Sequence, residues 1–424
     1  MRFIADLHIH SRFSRACSKQ LTPEVLHLWS QLKGVDVLAT GDFTHPAWFA
    51  ELRETLVEAE PGLFRLKSPL AAKVDREVPA KCRAPVRFLL AVEISCIYKK
   101  AGRVRKGHHL VYAPGFEAAG RINAALGRIG NIRSDGRPIL GLDSRDLLEI
   151  VLEAGEDCHL VPAHAWTPHF SVFGSQSGFD SLEECFSDLA PRIFAIETGL
   201  SSDPPMNRRV SSLDRLALLS NSDAHSPQKL AREANVFDTE LSYRGIFDAM
   251  RANDRFRRLK TLEFFPEEGK YHADGHRDCG VRLLPAQTLR RKGLCPSCRK
   301  PVTVGVLHRV EKLADRDASE VPKDLGGHEY IVPLKEVLGQ TLRVGPSSVR
   351  VDALYRRMLD LFGSELTLLR ETPIELLERE GFPLAALALS RMRRGRVRAE
   401  AGYDGKFGTV TLLGEEDFQC AAAS

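Results

Sequence analysis

Short apolar runs that end in a polar residue recur through the first half of this chain. The chain opens Phe3-Ile4-Ala5-Asp6-Leu7-His8-Ile9-His10. Similar runs follow at Val35-Asp36-Val37-Leu38-Ala39-Thr40-Gly41-Asp42, at Arg87-Phe88-Leu89-Leu90-Ala91-Val92-Glu93, and at Cys158-His159-Leu160-Val161-Pro162-Ala163-His164. Another spans Leu216 to Leu219 and leads into Ser220-Asn221-Ser222-Asp223-Ala224-His225, while Lys106-Gly107-His108-His109-Leu110-Val111 heads its run with two histidines. Continuous apolar runs of this length mark strands buried on both faces, as in parallel sheets. Helical spacing fills the gaps at Pro23 to Lys33, Ser144 to Ala154, Ser181 to Asp188 and Ser211 to Leu219. Strands alternating with helices predict an α/β fold with a parallel sheet or barrel, and in such barrels the chemistry sits at the carboxyl ends of the strands.

The residues at those ends are metal-ligand types. Side chains alternate along a strand, so His8 and His10 share a face. Asp223-Ala224-His225 mirrors that spacing. A single buried His or Asp at a strand end is ordinarily a hydrogen-bonded structural residue. Six such ends in one chain point to convergence. Mixed imidazole and carboxylate donors suit zinc, manganese or iron. The candidates outnumber the ligands of one tetrahedral site, which predicts two or three divalent metals. Clustered metals suit phosphate-ester hydrolysis, because together they acidify water and clamp the attacking and leaving oxygens.

The order His-x-His, Asp, Glu, His, His, Asp-x-His resembles the PHP (polymerase and histidinol phosphatase) metallophosphoesterases, and most closely their endonuclease Q branch. The stretches that carry this are Thr40-Gly41-Asp42-Phe43-Thr44-His45-Pro46, Glu197-Thr198-Gly199-Leu200-Ser201-Ser202-Asp203-Pro204, Ser220 to Pro227, and Gly269-Lys270-Tyr271-His272-Ala273-Asp274-Gly275-His276-Arg277. The resemblance implies a distorted (β/α)7 PHP barrel and a DNA endonuclease that nicks 5′ to deaminated bases (hypoxanthine, uracil, xanthine) and abasic sites. It implies His8, His10, Asp42, Glu93, His109, His164, Asp223 and His225 as metal ligands, with Glu93 bridging. Asp223, Glu93 and His225 carry the catalysis in that reading. His109 is preferred to His108 because it directly precedes the Leu-Val run. The cofactors implied are two or three ions of Zn, Mn, Mg or Fe. The chain departs from many members at Gly41-Asp42-Phe43, where the nearest histidine is displaced to His45, and at Ala16, where many have a further histidine. His45 is either a ligand or an orienting residue. Glu197 either orients a ligand or substrate or simply ends a strand, the second being slightly favoured.

Nine cysteines occur. No signal peptide or long apolar segment accompanies them, so an intracellular, cytoplasmic protein with reduced thiols is expected. Cys17, Cys82, Cys96, Cys158, Cys185 and Cys420 are scattered and read as packing residues. Cys279, Cys295 and Cys298 differ. Cys295-Pro296-Ser297-Cys298 is a knuckle, and His276-Arg277-Asp278-Cys279 repeats its two-residue gap. His276, Cys279, Cys295 and Cys298 form a donor set typical of structural zinc, with His272 as the competing fourth ligand.

The chain has 424 residues and a formal charge of +4. That length accommodates two or three domains. Residues 1–265 are read as the PHP barrel, 266–313 as the zinc-binding module, and 314–424 as a mixed, mainly helical unit. Helices are expected at Val349 to Phe362, Pro373 to Glu380 and Pro383 to Arg394. A closing hairpin is expected to turn at Asp404-Gly405. Basic residues concentrate between Arg251 and Lys260 and between Arg391 and Arg398. With Arg291, Arg393 and Arg394 they are candidate contacts to the phosphates of double- or single-stranded DNA. No membrane partner is expected. A sliding clamp is retained as a partner candidate, although the C-terminus carries no clear motif. The loop after His164 is aromatic and rich in small residues, and Trp166, His169 and Phe170 are its candidates for touching an extruded base. Competing functions are a small-molecule phosphatase, which needs neither knuckle nor basic unit, a DNA exonuclease, and a noncatalytic adaptor that kept a degenerate barrel.

Overall fold

The computed structural model describes residues 1–322 and 326–423, without the side chains of 259 and 420–423. Cys420 is therefore outside the described side chains. The fold is mixed α/β. At its centre β1 (Arg2–Asp6), β2 (Val37–Ala39) and β3 (Arg87–Lys100) run parallel. β4 (Arg103–Ala113) folds back on β3, and β5 (His159–Pro162) pairs antiparallel with β4. Two short strands, β6 (Ala195–Glu197) and β7 (Ala217–Leu219), form a separate parallel pair. On the other side of β1, the antiparallel β8 (Ala234–Asp238) and β9 (Arg258–Glu263) extend the sheet.

The expected all-parallel sheet is corrected by the β3–β4 hairpin. Its turn is two residues long, Ala101 and Gly102, both with positive φ. Strands joined by so short a turn can only be antiparallel, and paired positive φ values suit the twist of such hairpins. Loop contacts join β5 to β6 and the segment after β7 to that after β1, among them Ala165 N–H to the Glu197 carbonyl (2.9 Å) and His10 N–H to the Ala224 carbonyl (3.1 Å).

Helices Pro23–Lys33 and Ser144–Ala154 fall where the periodicity placed them. Thr22 caps the first, and Gly34 ends it with φ +84°. The stretch 211–219 is not a helix. It is one short turn followed by β7, which is wholly buried, and the buried Arg208 satisfies the carbonyls of Leu213 and Leu216 there. Burial on all sides makes a three-residue strand and a helical segment look alike in sequence.

The C-terminal helices include Val349–Phe362, Ile374–Arg379 and Pro383–Arg393, close to expectation. The hairpin turns at Asp404 (φ +46°) and Gly405 (φ +82°), with Tyr403 and Lys406 exchanging both backbone hydrogen bonds. β10 (Gly327–Tyr330) adds a parallel edge to β9, across the boundary expected at 314. A buried ion pair, Lys33 to Glu365 at 2.8 Å, further joins barrel and C-terminal helices, and both belong to one hydrophobic core. The segment around the knuckle has only a small core of its own, Leu283, Cys295 and Val302.

Candidate metal centre and its surroundings

Five strands and the loops that follow them bring six donors to a common buried region. His8 and His10 lie just past β1, Glu93 inside β3, His108 inside β4, His164 after β5, and Asp223 after β7. Asp42 (φ +52°), His164 (φ +28°) and Asp223 (φ +46°) all adopt the left-handed backbone conformation, which non-glycine residues hold only under constraint from their surroundings.

Two groups of donor atoms form. In the first, His8, His10, Glu93 and Asp223 place ligand atoms within 4.8 Å of one another. His10 Nε2 is 3.3 Å from Glu93 Oε2 and 3.2 Å from Asp223 Oδ1. His8 Nε2 is 3.7 Å and 3.6 Å from the same two oxygens and is a buried nitrogen without a hydrogen-bond partner. In the second group, His108 Nδ1 is 2.7 Å and His164 Nε2 3.1 Å from Glu93 Oε1. Glu93 thus belongs to both. An orphaned imidazole nitrogen aimed at two carboxylates, and two imidazoles 3.2 Å apart on one carboxylate oxygen, are the donor chemistry that divalent ions satisfy.

The electrostatics agree. Burial alone would lower the imidazole pKa of His8 and His10. The carboxylates outweigh it, chiefly Glu197 and Asp223 at His8, and Asp223, Asp42 and Glu93 at His10, and hold both well above the usual value. Burial likewise favours protonation of Glu93, and His108 and Arg137 overcome it, keeping it well below. The pocket is a strongly negative field that stabilises cations. Burial pushes His108 down to about 4, leaving a neutral imidazole as a metal ligand requires.

Several expected ligands take other places. His109 lies on the opposite face of β4. It bonds Ser144 Oγ at 2.8 Å, packs edge-on against Phe186, and burial drives its pKa down to about 3. Two adjacent strand residues cannot face one site, so His108 occupies the position the resemblance gave to His109. Asp42 is absent from both groups. Its Oδ1 faces His10 Nδ1 at 3.2 Å, and its Oδ2 accepts from Ser11 N–H, Ser11 Oγ and Ser14 Oγ. Asp42 therefore orients His10 from behind. Glu197 does the same for His8 (Nδ1 to Oε1, 3.0 Å) while accepting from His164 N–H and Asn221 Nδ2. Such outer partners fix the tautomer that presents Nε2. His225 sits at the rim, its ring tilted against that of His10, with Nδ1 on the Asp223 carbonyl. His45 stacks on Phe13, outside both groups.

A cavity of about 510 Å³ opens over the donors, lined by His108, His164, Asp223 and His225, and by His169 and Phe170 from the aromatic loop. Trp166 is not part of it. That ring is buried against Phe173 and donates to Asn207 Oδ1 at 2.7 Å. Lys270, Tyr271 and Phe407 complete the wall.

His276, Cys279, Cys295 and Cys298 form a third group of donor atoms within 4.8 Å. His272 stays out of it, bonded to the Ser201 carbonyl. Arg291 and Arg394 are exposed. Arg393 is committed to the Leu368 and Leu369 carbonyls, and Arg391 to Asp417. In the 251–260 cluster Arg251 and Arg255 are exposed, Arg257 and Lys260 half-buried and Arg258 buried. Arg258 is buried on the Leu218 carbonyl, Arg257 bonds Thr239 and Lys260 pairs with Glu329 at 2.6 Å. Sequence reasoning missed Arg137, which donates to Glu93 Oε2 at 2.9 Å from a loop without apolar pattern or motif.

Among the described residues, no helix is long and apolar enough to cross a membrane, and eight cysteines are free. Residues 333–396 match the family model described as the MJ0043 C-terminal domain. The YqxK protein of Bacillus subtilis is 28% identical over 431 residues, covering 96% of this chain and 99% of that protein. The crystal structure of the lesion-specific endonuclease PfuEndoQ from Pyrococcus furiosus superposes with a TM-score of 0.83 at 29% identity, covering 99% of each chain. A structure of endonuclease Q with a 27-mer duplex substrate, an abasic lesion at its active site, gives a TM-score of 0.84 at 30% identity, covering 98% of each chain. Matched over nearly its full length in sequence and fold, the chain belongs to the endonuclease Q family.

Proposed function

We propose that this protein is a metal-dependent DNA endonuclease that nicks the damaged strand 5′ to deaminated bases (hypoxanthine, uracil, xanthine) and abasic sites. The observation that carries the reading is the pair of donor groups joined at Glu93 beneath an open cavity. His8, His10, Glu93 and Asp223 would hold one divalent ion, and Glu93, His108 and His164 a second. The bound ions would acidify water and neutralise charge building on the phosphate.

The chain's own residues do the rest. Asp42 and Glu197 lock the two imidazoles of the His-x-His pair. His225 donates its Nδ1–H to the Asp223 carbonyl, which leaves Nε2 to accept the proton of the attacking water, while solvent protonates the departing 3′ oxygen. A water oxygen bonds to phosphorus, the P–O3′ bond breaks, and a 3′ hydroxyl and 5′ phosphate remain. His169 and Phe170 line the cavity where an unstacked nucleotide would lie.

His276, Cys279, Cys295 and Cys298 would hold a structural zinc that stiffens the 266–313 module. That module, together with the Asp404-Gly405 hairpin, brings Lys270, Tyr271 and Phe407 to the mouth. A small-molecule phosphatase would have no use for this added wall. The protein acts on DNA in the cytoplasm in this reading.

The test is incubation of duplexes with single defined lesions, and of covalently closed lesion-bearing circles, with manganese or magnesium. Cleavage mapped one position 5′ to the lesion, on closed circles as well as linear DNA, is expected. Asp223→Asn should lower that rate at least about 1000-fold with DNA binding retained. Degradation from ends alone, or no dependence on the lesion, refutes the proposal.

A further inference from the structure

Arg137 has no assigned part in the metal centre, yet its guanidinium touches the residue shared by both donor groups. Nη1 lies 2.9 Å from Glu93 Oε2, the oxygen that also faces His8 and His10. Among the described residues this is the only hydrogen bond its side chain makes. A guanidinium carries five N–H donors, so most are uncommitted. About a quarter of the side chain (27%) reaches solvent, at the edge of an otherwise buried cluster.

The loop that carries Arg137 is built to hold it there. Asp135 Oδ1 accepts from the Arg137 N–H at 3.0 Å and from the Arg15 N–H at 3.3 Å. Gly136 is pressed so closely on Asp42 and Ser14 that a Cβ would collide with both. Its N–H bonds the Phe13 carbonyl, its carbonyl takes Thr44 Oγ1, and the Pro138 carbonyl takes Ser95 N–H. The arginine is pinned from both sides against the same elements that position His10 and Glu93.

Charge bookkeeping separates two roles. Asp42, Glu93, Glu197 and Asp223 supply four negative charges. Two divalent ions would balance them. A guanidinium whose only task is to neutralise Glu93 is then redundant, and beside divalent cations it would be repelled. An excess of one positive charge is favourable only when an anion of charge −1 enters. A phosphodiester is such an anion, and its pentavalent transition state carries more negative charge still. Fixed donors aimed at developing charge are the most effective kind of electrostatic catalysis.

We infer that Arg137 is a catalytic residue of the DNA-cleaving reaction proposed above. It contacts a non-bridging oxygen of the scissile phosphate while Glu93 holds the guanidinium in place. The inference rests on the endonuclease reading.

The experiment compares Arg137→Gln and Arg137→Lys with the wild type, each as full-length metal-loaded protein. Nicking of an abasic duplex, metal content by mass spectrometry, and inorganic phosphate binding by calorimetry are measured. Arg137→Gln is expected to lose about 100-fold in kcat and about tenfold in phosphate affinity, with bound metal and DNA affinity within twofold of wild type. Arg137→Lys should recover part of the rate. Nicking by Arg137→Gln within threefold of wild type overturns the inference, as does loss of metal in parallel with activity, which would reduce the arginine to support for Glu93. If the wild type does not nick DNA at all, the functional reading fails, and the phosphate affinity of the two variants still decides whether Arg137 binds a phosphate oxygen on this cluster.

Discussion

The barrel donors, two groups that share Glu93, and the knuckle donors, one group of four, are both clusters of metal-binding side chains, but they are assembled in opposite ways. The barrel set draws on residues from His8 to Asp223, carried by five different strands and their following loops. Nothing local holds those groups together, and the whole core must fold before they meet. The knuckle set lies between His276 and Cys298, on two tight turns backed by three apolar residues. A core that small does not stabilise a module alone, so metal binding there would supply folding energy. The barrel site is instead preorganised by protein, with Asp42, Glu197 and Asn221 behind the ligands. Removing a metal should therefore cost the barrel its chemistry and the module its structure.

The largest effect that sharpens this contrast concerns the histidine pair in β4. His108→Ala should remove one ligand from the Glu93–His164 group, reduce bound barrel metal from two ions to about one, and slow cleavage about 100-fold. Its neighbour behaves differently. His109→Ala should leave metal content and rate unchanged and destabilise the fold by about 1–2 kcal/mol, through loss of the buried bond to Ser144. Metal analysis alongside thermal unfolding of the two variants checks both. The reverse pattern would mean that β4 presents the other face to the centre.

That pair also marks how far the sequence is legible. His8-Ile9-His10, Asp223 and the strand-end positions are readable, because alternation and apolar runs report which face of a strand is buried. The choice between His108 and His109 is not, since it depends on β4 being an antiparallel strand that crosses the site rather than a parallel strand ending at it. Asp42 reads as a ligand by residue type. Only the positions of Ser11 and Ser14 reveal that its oxygens are already taken. Arg137 gives no sequence signal, because it reaches Glu93 only through a loop seated on Asp42 and Ser14. The local cluster is the opposite case. His276, Cys279, Cys295 and Cys298 are legible from spacing alone. Of the arginines read as a DNA-facing run between 251 and 260, Arg257 and Arg258 bond to the fold itself while Arg251 and Arg255 stay exposed, because charge in a sequence does not say whether partners lie within reach.

A smaller effect is expected at the knuckle. Cys295→Ser should abolish binding of one zinc, loosen the region around 274–303, and weaken DNA affinity about tenfold through loss of the wall at the cavity mouth. The barrel should keep its metals and its unfolding temperature to within a few degrees. Zinc content and hydrogen exchange check this. Cooperative unfolding of the barrel together with the module would erase the distinction between the two assemblies.

The smallest effect lies beneath the barrel cluster. The carboxylates of the donor cluster are held ionised by the cationic groups around them, whereas Glu263, the last residue of β9, has no cation against it among the described residues. Ser220 Oγ donates to one of its oxygens at 2.5 Å, and the other is buried without a partner. Burial pushes its pKa up to about 8 from an ordinary 4.5, against the smaller opposing pull of Ser220. A carboxyl whose folded pKa exceeds its unfolded value contributes stability below the unfolded value, and that contribution is lost as pH rises toward the folded one. Between pH 4.5 and 8 the unfolded chain releases this proton and the folded chain keeps it, so stability falls across the window. Glu263→Gln stays neutral throughout and keeps the hydrogen bond from Ser220. Its unfolding temperature should match wild type near pH 4.5 and exceed it by a few degrees at pH 8.5, an advantage of about 2 kcal/mol given 1.36 kcal/mol per pKa unit and partial relaxation of the site. A difference that does not change with pH would mean that Glu263 is ionised in the folded protein, held by a cation as the metal-site carboxylates are.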